Sequence, residues 1–373
     1  MTEPGTAHGE ARRSAALVEA VVLPAAAIGA SLVLFGVFVA LAGADPFATY
    51  RQMVRGAFGT WFSLQSSLQR AAPLMLTALC TAIPARLGLI VIGGEGALVL
   101  GGLAAAIAAV AIGAAPPIVV TLGMALAAVV VGGLWIGVCA GLRVLRGVNE
   151  TISSLLLTYI AIGIFNHLVE GPLRDPASLN KPSTAPIGDA NALGHLPGMD
   201  VHWGLVFGVV ACIASWVLVG RTTYGFAARI VGGNVRAALL AGLPVRRLVV
   251  AAGFLGGGCA GLAGMAEVAA VHGTANASLV AGYGYSGILV AFLARHHPLA
   301  IMPVALLLGG VAASGGLLQR SVGLPDAAVN VLQGILFVVI LASETLRGRL
   351  AGRRLGWLRA TAVAEPAPVK EVG

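Results

Sequence analysis

Long apolar runs separated by short polar segments recur along this sequence, and they restrict the chain to very few folds. A helix that crosses a bilayer needs about 20 predominantly apolar residues. Only 10% of the residues are charged, against about 25% in an ordinary soluble domain. We therefore expect an all-α, polytopic membrane protein with about ten transmembrane helices, multi-pass in the cell (inner or plasma) membrane. The apolar runs are 17–42, 72–90, 95–114, 117–140, 151–169, 202–220, 247–271, 284–294, 298–318 and 326–345.

The basic residues predict the orientation, because Lys and Arg accumulate in the cytoplasmic loops of membrane proteins. With ten crossings and both termini cytoplasmic, 17 of the 23 basic residues lie inside and six lie outside. The six outside are Arg51, Arg55, Arg70, Arg174, Lys181 and Arg320. We therefore predict cytoplasmic N- and C-termini, and we interpret the net charge of +8 as topology, with no nucleic-acid partner.

This topology divides the chain into a transmembrane domain, 17–345, and two cytoplasmic tails, 1–16 and 346–373. The first run is too long for a signal peptide. The run 284–294 is too short to cross alone, so it either uses flanking residues or is re-entrant.

Two loops are long enough to have functions of their own. Residues 170–201 form an extracytoplasmic loop rich in Pro, Asn and Asp. Residues 221–246 form a cytoplasmic loop with five arginines and no acid, which indicates an amphipathic helix broken by Gly232-Gly233. Such an element either docks into a groove of a partner or lies on the membrane surface.

The chemistry needed for catalysis is missing from the sequence. A phosphate-binding loop of the form GxxxxGK[ST] needs a lysine, and the two lysines, Lys181 and Lys370, lie in Asn-Lys-Pro and Val-Lys-Glu. No HExxH or GxSxG pattern occurs, and the four cysteines lie far apart inside apolar runs. We expect buried thiols, no metal site and no enzymatic activity, which disfavours an integral membrane enzyme.

Three acidic residues in or near the apolar runs are candidates for function, since charges within a membrane span are costly. Glu95 lies among glycines in Gly93–Gly96, which is consistent with a broken helix facing a cavity or with a hinge whose carboxylate is satisfied at a helix N-terminus. Asn149-Glu150 has the pattern of an N-cap with an acid in the first turn. Glu267 is either a proton carrier or an acid paired near the outer end of its span.

Asn330 and Gln333 share a face of the last run, where they either contact a solute or form interhelical hydrogen bonds. The candidate solute pathway is thus Glu95, Asn149, Glu150, Asn330 and Gln333.

Four segments carry a resemblance to a known family over about 70–345. Thr223–Gly242 (TYGFAARIVGGNVRAALLAG) resembles the cytoplasmic loop of ABC importer permeases of the branched-chain amino acid, ribose and simple-sugar superfamily. Gly147–Ile152 (GVNETI) resembles a segment of the nucleoside-type permeases, which work with lipoproteins of the basic membrane protein class. Gly282–Ala291 with Arg295–Pro298 resembles the eighth-span signature of these permeases, and Pro325 with Gln333-Gly334 resembles their last span.

The chain departs from the family pattern at Val91–Ala97 (VIGGEGA), where the family carries Asn-Ile-Gly-x-Glu-Gly-Gln. Both flanking polar residues are absent, which reduces the hydrogen-bonding capacity of this segment. His296-His297 stand where the family often has an asparagine.

The resemblance implies a permease subunit that moves a nucleoside, or else a simple sugar, inward by alternating access. It implies four partners in addition to membrane lipid: a separate ABC ATPase that holds ATP and Mg, a second permease in a heterodimer, a solute-binding lipoprotein and the solute. The chain itself would bind no cofactor. The alternative is a proton-coupled carrier that uses Glu95 or Glu267. The residues that the resemblance assigns to coupling with the ATPase are Thr223, Gly225, Arg229, Gly232, Asn234, Ala237, Ala238 and Gly242.

Overall fold

The computed structural model describes residues 25–113 and 115–343, and it forms them into helices joined by turns and loops. The described residues divide into two units, one of residues 25–43 and 331–343 and the other of residues 44–330. Extended pairing among the described residues is limited to two isolated bridges, so the all-α prediction is confirmed. The helices are α1 Ala25–Leu41, α2 Pro46–Phe58, α3 Trp61–Ala85, α4 Gly94–Ile112, α5 Pro117–Arg146, α6 Glu150–Glu170, α7 Gly204–Arg221, α8 Thr223–Gly233, α9 Val235–Leu240, α10 Val245–Glu267, α11 Tyr283–Leu293, α12 Pro298–Ala313, α13 Gly315–Ser321 and α14 Ala328–Ser343.

Six helical segments in the described part of the chain are long and apolar enough to cross a membrane. They are α4, α5, α6, α7, α10 continued to His272, and α12 continued to Ser321, and α1 with α2 would add a seventh if the two form one span. A multi-pass membrane protein is therefore confirmed. The count of about ten crossings and the orientation of the termini stay predictions, and the predicted tails 1–16 and 346–373 lie outside the described residues.

One predicted span begins much earlier than hydropathy indicates. Hydropathy places it at 72–90, but α3 runs from Trp61 to Ala85. The helix begins early because the Thr60 hydroxyl accepts a hydrogen bond from the Ser63 N–H at 3.0 Å and caps it. It ends before residue 90 because Gly88 has a φ of +78°, in the left-handed region that helices do not use.

Glycines bring α10 into backbone contact with its neighbours at the centre of the unit 44–330. A Cβ atom built at Gly261 would lie 2.0 Å from the Ala128 carbonyl oxygen of α5 and 3.3 Å from the Cα atom of Gly132. One built at Gly264 would lie 2.0 Å from the Leu98 carbonyl oxygen of α4. Small residues allow this approach in membrane proteins, which accounts for the glycines of α10 at these contacts.

The bundle in this unit has two ends, which differ in their loops. At one end, which we call the loop end, residues 171–203 pack on the residues that follow α10. There the Thr184 N–H donates to the Ala275 carbonyl at 3.0 Å, and the Ile187 N–H donates to the Gly273 carbonyl at 3.0 Å. The other end, which we call the helix-pair end, carries helices α8 and α9, which lie between α7 and α10 in the chain.

The described cations divide unevenly between the two ends. Six belong to the loop end, and they are the same six residues that the topology places outside. Nine belong to the helix-pair end: Arg86, Arg143, Arg146, Arg221, Arg229, Arg236, Arg246, Arg247 and Arg295.

The short predicted run 284–294 corresponds to α11, and contacts along α3 show its course. At its start, the Thr77 hydroxyl donates to the Tyr283 carbonyl at 3.0 Å. Beyond its end, the Arg86 guanidinium donates to the His296 carbonyl at 2.9 Å. The chain therefore enters from the loop end through a short 3-10 helix, Ala277–Leu279, begins α11 beside Thr77 in the second half of α3, and leaves at the helix-pair end. This course favours a broken crossing over a re-entrant loop.

Candidate functional site

The helix-pair end carries a compact element made of α8 and α9. The two helices meet at Asn234, which ends α8 and whose side-chain oxygen accepts from the backbone N–H groups of Arg236 at 2.9 Å and Ala237 at 3.1 Å. The sequence places the break at Gly232-Gly233, but both glycines are helical and the break comes one residue later. The asparagine makes the break because its side chain caps the second helix.

All eight residues assigned to coupling lie in or next to this element. Thr223, Gly225, Arg229 and Gly232 belong to α8, Asn234 is the junction, Ala237 and Ala238 belong to α9, and Gly242 closes the turn after α9 with a φ of +73°. Their role in coupling stays a prediction.

The element is amphipathic, with its apolar residues divided between two faces. Ala228, Val231 and Ala238 are buried. On the outer face, Leu240 is 91% exposed and Phe226 is 60% exposed. Exposed apolar side chains among arginines indicate a surface that another molecule covers.

The inner face of α8 is joined to the bundle through Gly232. A Cβ atom built on this glycine would lie 2.3 Å from the Arg86 carbonyl oxygen, so the helix touches the turn after α3 through backbone atoms. The Arg86 side chain continues to the His296 carbonyl on the far side of that turn. Arg86 therefore connects the contact point of α8 to the end of α11.

Sequence reasoning assigns Arg86 only to the cytoplasmic side and misses this connection. The one available signal is the Ala-Arg pair at 85–86, which recurs at 294–295. Partial burial, with a smaller contribution from nearby Arg229, lowers the pKa of Arg86 from its usual value.

Glu95 occupies the junction of the two broken helices, α4 and α11. One carboxylate oxygen accepts from the Gly282 N–H at 2.7 Å, and the other accepts from the Gly284 N–H at 2.6 Å. The side chain is fully buried. Both amides belong to the N-terminus of α11, where a negative charge is stabilised by the helix dipole. This geometry favours the structural interpretation of Glu95, since both oxygens are occupied by backbone donors.

Non-helical backbone between α3 and α4 brings Glu95 to this depth. The Thr81 hydroxyl donates to the Val91 carbonyl at 3.1 Å, and the Ile92 N–H donates to the Ser154 hydroxyl at 3.0 Å. Such irregular backbone is tolerated at membrane depth where protein buries it. The segment thus begins α4 level with the first turns of α6.

Asn149 and Glu150 have structural partners at the start of α6. The Asn149 side chain accepts from the N–H groups of Thr151 at 2.9 Å and Ile152 at 3.2 Å, so the predicted N-cap is confirmed. A Glu150 carboxylate oxygen lies 3.2 Å from the Arg143 Nε atom. These contacts stabilise the turn between α5 and α6.

The remaining candidates are not brought to one place by these contacts. Asn330 is exposed and Gln333 is partly buried on α14, and their part in a solute pathway stays a prediction. Glu267 is buried, and its Oε2 atom lies 3.8 Å from the His272 Nε2 atom. This pairing agrees with the interpretation of Glu267 as an acid with a local partner.

Within residues 25–113 and 115–343, no group of His, Cys, Asp and Glu side chains could hold a metal ion.

Comparison with known proteins shows which family this chain matches and which proteins it is similar to. Residues 63–341 match the family described as branched-chain amino acid transport system, permease component. The chain is 33% identical over 332 residues to a glucose ABC transporter permease protein of Haloferax volcanii, covering 86% of this chain and 87% of that protein. It is 28% identical over 342 residues to a guanosine ABC transporter permease protein of Bacillus subtilis (87% and 94%), and 26% identical over 335 residues to a nucleoside ABC transporter permease protein of Lactococcus lactis (86% and 90%).

Proposed function

This chain belongs to the family of branched-chain amino acid transport system permease components, and we propose that it carries a nucleoside inward, driven by ATP hydrolysis on a separate subunit. It is an ABC transporter permease of the sugar and nucleoside kind. The observation that carries the proposal is the similarity to nucleoside and sugar permeases, which extends over 86–87% of the chain.

The element α8–α9 supports the division between permease and ATPase. Its outer face exposes Phe226, Leu239 and Leu240, with exposed fractions of 60%, 59% and 91%. Its inner face touches the backbone after α3 through Gly232. A subunit that docks on the outer face would therefore move a rigid element directly against the bundle. ATP and Mg would be bound by that ATPase, not by this chain.

The uneven distribution of cations supports the orientation. Nine described arginines lie at the helix-pair end and six cations at the loop end, and the positive-inside bias supports a cytoplasmic helix-pair end. The loop 171–203 would face outward, where a solute-binding lipoprotein delivers its cargo. A second permease would complete the translocation path as a heterodimer.

The choice of a nucleoside has two supports. Two of the three relatives named above are described as guanosine and nucleoside permeases, and Gly147–Ile152 resembles the nucleoside-type segment and forms the cap of α6. A simple sugar is the second candidate, because the glucose permease of Haloferax volcanii is the relative with 33% identity.

Uptake by membrane vesicles that contain this chain and its native partners tests the proposal. We expect labelled guanosine to accumulate when ATP is supplied on the cytoplasmic side, to continue in the presence of a protonophore, and to be absent from vesicles lacking the chain. Excess unlabelled glucose should leave this uptake unchanged. Competition by glucose alone would select the sugar. Uptake that stops with the protonophore while ATP persists would instead indicate the proton-coupled carrier that uses Glu95 or Glu267.

A further inference from the structure

Two tyrosine hydroxyls lie at the middle depth of the bundle without a hydrogen-bond partner among the described residues. Tyr159 is on α6 and is 63% exposed, and Tyr285 is on α11 and is 40% exposed. Glu95 and Tyr159 lie close enough to Tyr285 to act on its hydroxyl electrostatically. Both rings are exposed on the surface of the single chain.

The depth of Tyr159 argues against contact with lipid. It lies nine residues after Glu150 and eleven before Glu170, at the ends of the helix. At 1.5 Å per residue, it is about 14 Å from one end of α6 and about 16 Å from the other. Tyrosines that face lipid are enriched at the two interfaces, where the hydroxyl reaches water. A hydroxyl at the centre of the bilayer needs a polar partner.

Tyr285 lies at the same depth, because contacts link both tyrosines to the start of α4. The Gly284 N–H, one residue before Tyr285, donates to Glu95. On the other side, a Cβ atom built at Gly96 would lie 2.9 Å from the Thr158 Cα atom, one residue before Tyr159. Both tyrosines therefore lie at the level of the junction between α4 and α11.

We propose that Tyr159 and Tyr285 form a stacking and hydrogen-bonding subsite for the ring of the transported solute, on the wall of a water-filled path. This inference rests on the proposed function and adds the residues that recognise the solute. An aromatic face stacks on a nucleobase, and the phenol hydroxyl hydrogen-bonds to a polar solute in a place where lipid offers no partner. The Glu95 carboxylate holds the start of α11 through the Gly282 and Gly284 N–H groups, so we assign recognition of the ring to the tyrosines.

Cysteine accessibility tests the path without requiring transport. In Tyr159→Cys and Tyr285→Cys variants, we expect a charged, membrane-impermeant thiol reagent to label both positions, and guanosine to slow the labelling. The matched control is Leu126→Cys on α5, because Leu126 is 66% exposed and also lies nine residues from the start of its helix. Labelling above the background of the four native cysteines, with Leu126→Cys unlabelled, supports the path. Failure of both tyrosine positions to label would overturn it, even if ATP-driven uptake is intact.

Uptake kinetics test recognition separately. We expect Tyr159→Ala and Tyr285→Ala each to raise the guanosine concentration for half-maximal uptake about tenfold, the loss expected for one stacking ring. The Phe variants should keep the stacking part and lose only the part due to the hydroxyl. Ile160→Ala, which removes a neighbouring side chain that is 52% exposed, should leave the half-saturating concentration unchanged. The proposal would be contradicted if Tyr159→Ala and Ile160→Ala left the half-saturating concentration unchanged and both lost the second permease from the purified complex to the same extent. That result would show that this surface is a subunit interface.

Discussion

Replacement of Gly232 by alanine is expected to abolish most solute uptake while the protein still inserts and folds. The added Cβ would lie 2.3 Å from the Arg86 carbonyl oxygen and 3.2 Å from its carbon, and backbone atoms cannot move aside as a flexible side chain does. Overpacking of this kind costs about 1–3 kcal/mol, so α8 would leave its position against the turn and uptake would fall about tenfold or more. The measurement is ATP-driven uptake at matched levels of protein in the membrane.

Gly233 supplies the matched control for this prediction. It is the next residue of the same helix, and a Cβ atom built there would have no neighbour within 4 Å. Gly233→Ala changes helix propensity as Gly232→Ala does, but it introduces no contact. Uptake by this variant should equal that of the wild type. Equal uptake by both variants would show that the contact of α8 with the turn after α3 is not used in transport.

Replacement of Glu95 by alanine is expected to destabilise the protein strongly. It removes the acceptor for the N–H groups of Gly282 and Gly284 and leaves two donors unsatisfied in an apolar interior. Each unsatisfied group costs about 1–3 kcal/mol, so the start of α11 should lose its fixed position. Thermal unfolding in detergent measures the loss, and we expect a large decrease in the midpoint together with loss of uptake.

Glu95→Gln distinguishes a structural carboxylate from a proton carrier. Glutamine keeps one acceptor oxygen, so we expect stability and uptake between those of the wild type and the alanine variant. Glu267→Gln is the control, because Glu267 is also buried but its carboxylate is paired with a side chain, His272, at 3.8 Å, and not with backbone N–H groups of another helix. A Glu95→Gln protein that is as stable as the wild type but has lost all uptake would contradict the structural role and favour the proton carrier.

Much of this architecture could be predicted from local sequence patterns. Asn149 before an acid predicts the cap of α6, and the arginines with small residues in 221–246 predict the helix pair. Both features depend on neighbouring residues, so the sequence contains all that is needed. The position of the break at Asn234, and not at the preceding glycines, follows from the capping side chain.

Other features depend on residues that are distant in sequence and could not be predicted. The partners of Glu95 lie 187 and 189 residues away, and no pattern near Gly93–Gly96 indicates them. Hydropathy does not indicate the early start of α3, because polar residues lower the mean hydropathy there, although Ser67 is buried and donates to the Ala57 carbonyl at 2.7 Å. The exposure of Tyr159 and Tyr285 is likewise a property of packing.

The most direct test of the account uses a photo-cross-linking residue at Leu240, the side chain on α9 that is 91% exposed. Cross-linking in the native membrane, followed by mass spectrometry of the adduct, identifies what covers the outer face of the helix pair. The account predicts a protein adduct whose sequence contains the phosphate-binding loop GxxxxGK[ST] of an ATPase, and no such adduct from the same residue placed at Leu126 of α5. Adducts of Leu240 with lipid alone would show that α8–α9 lies on the membrane surface, and they would contradict the account.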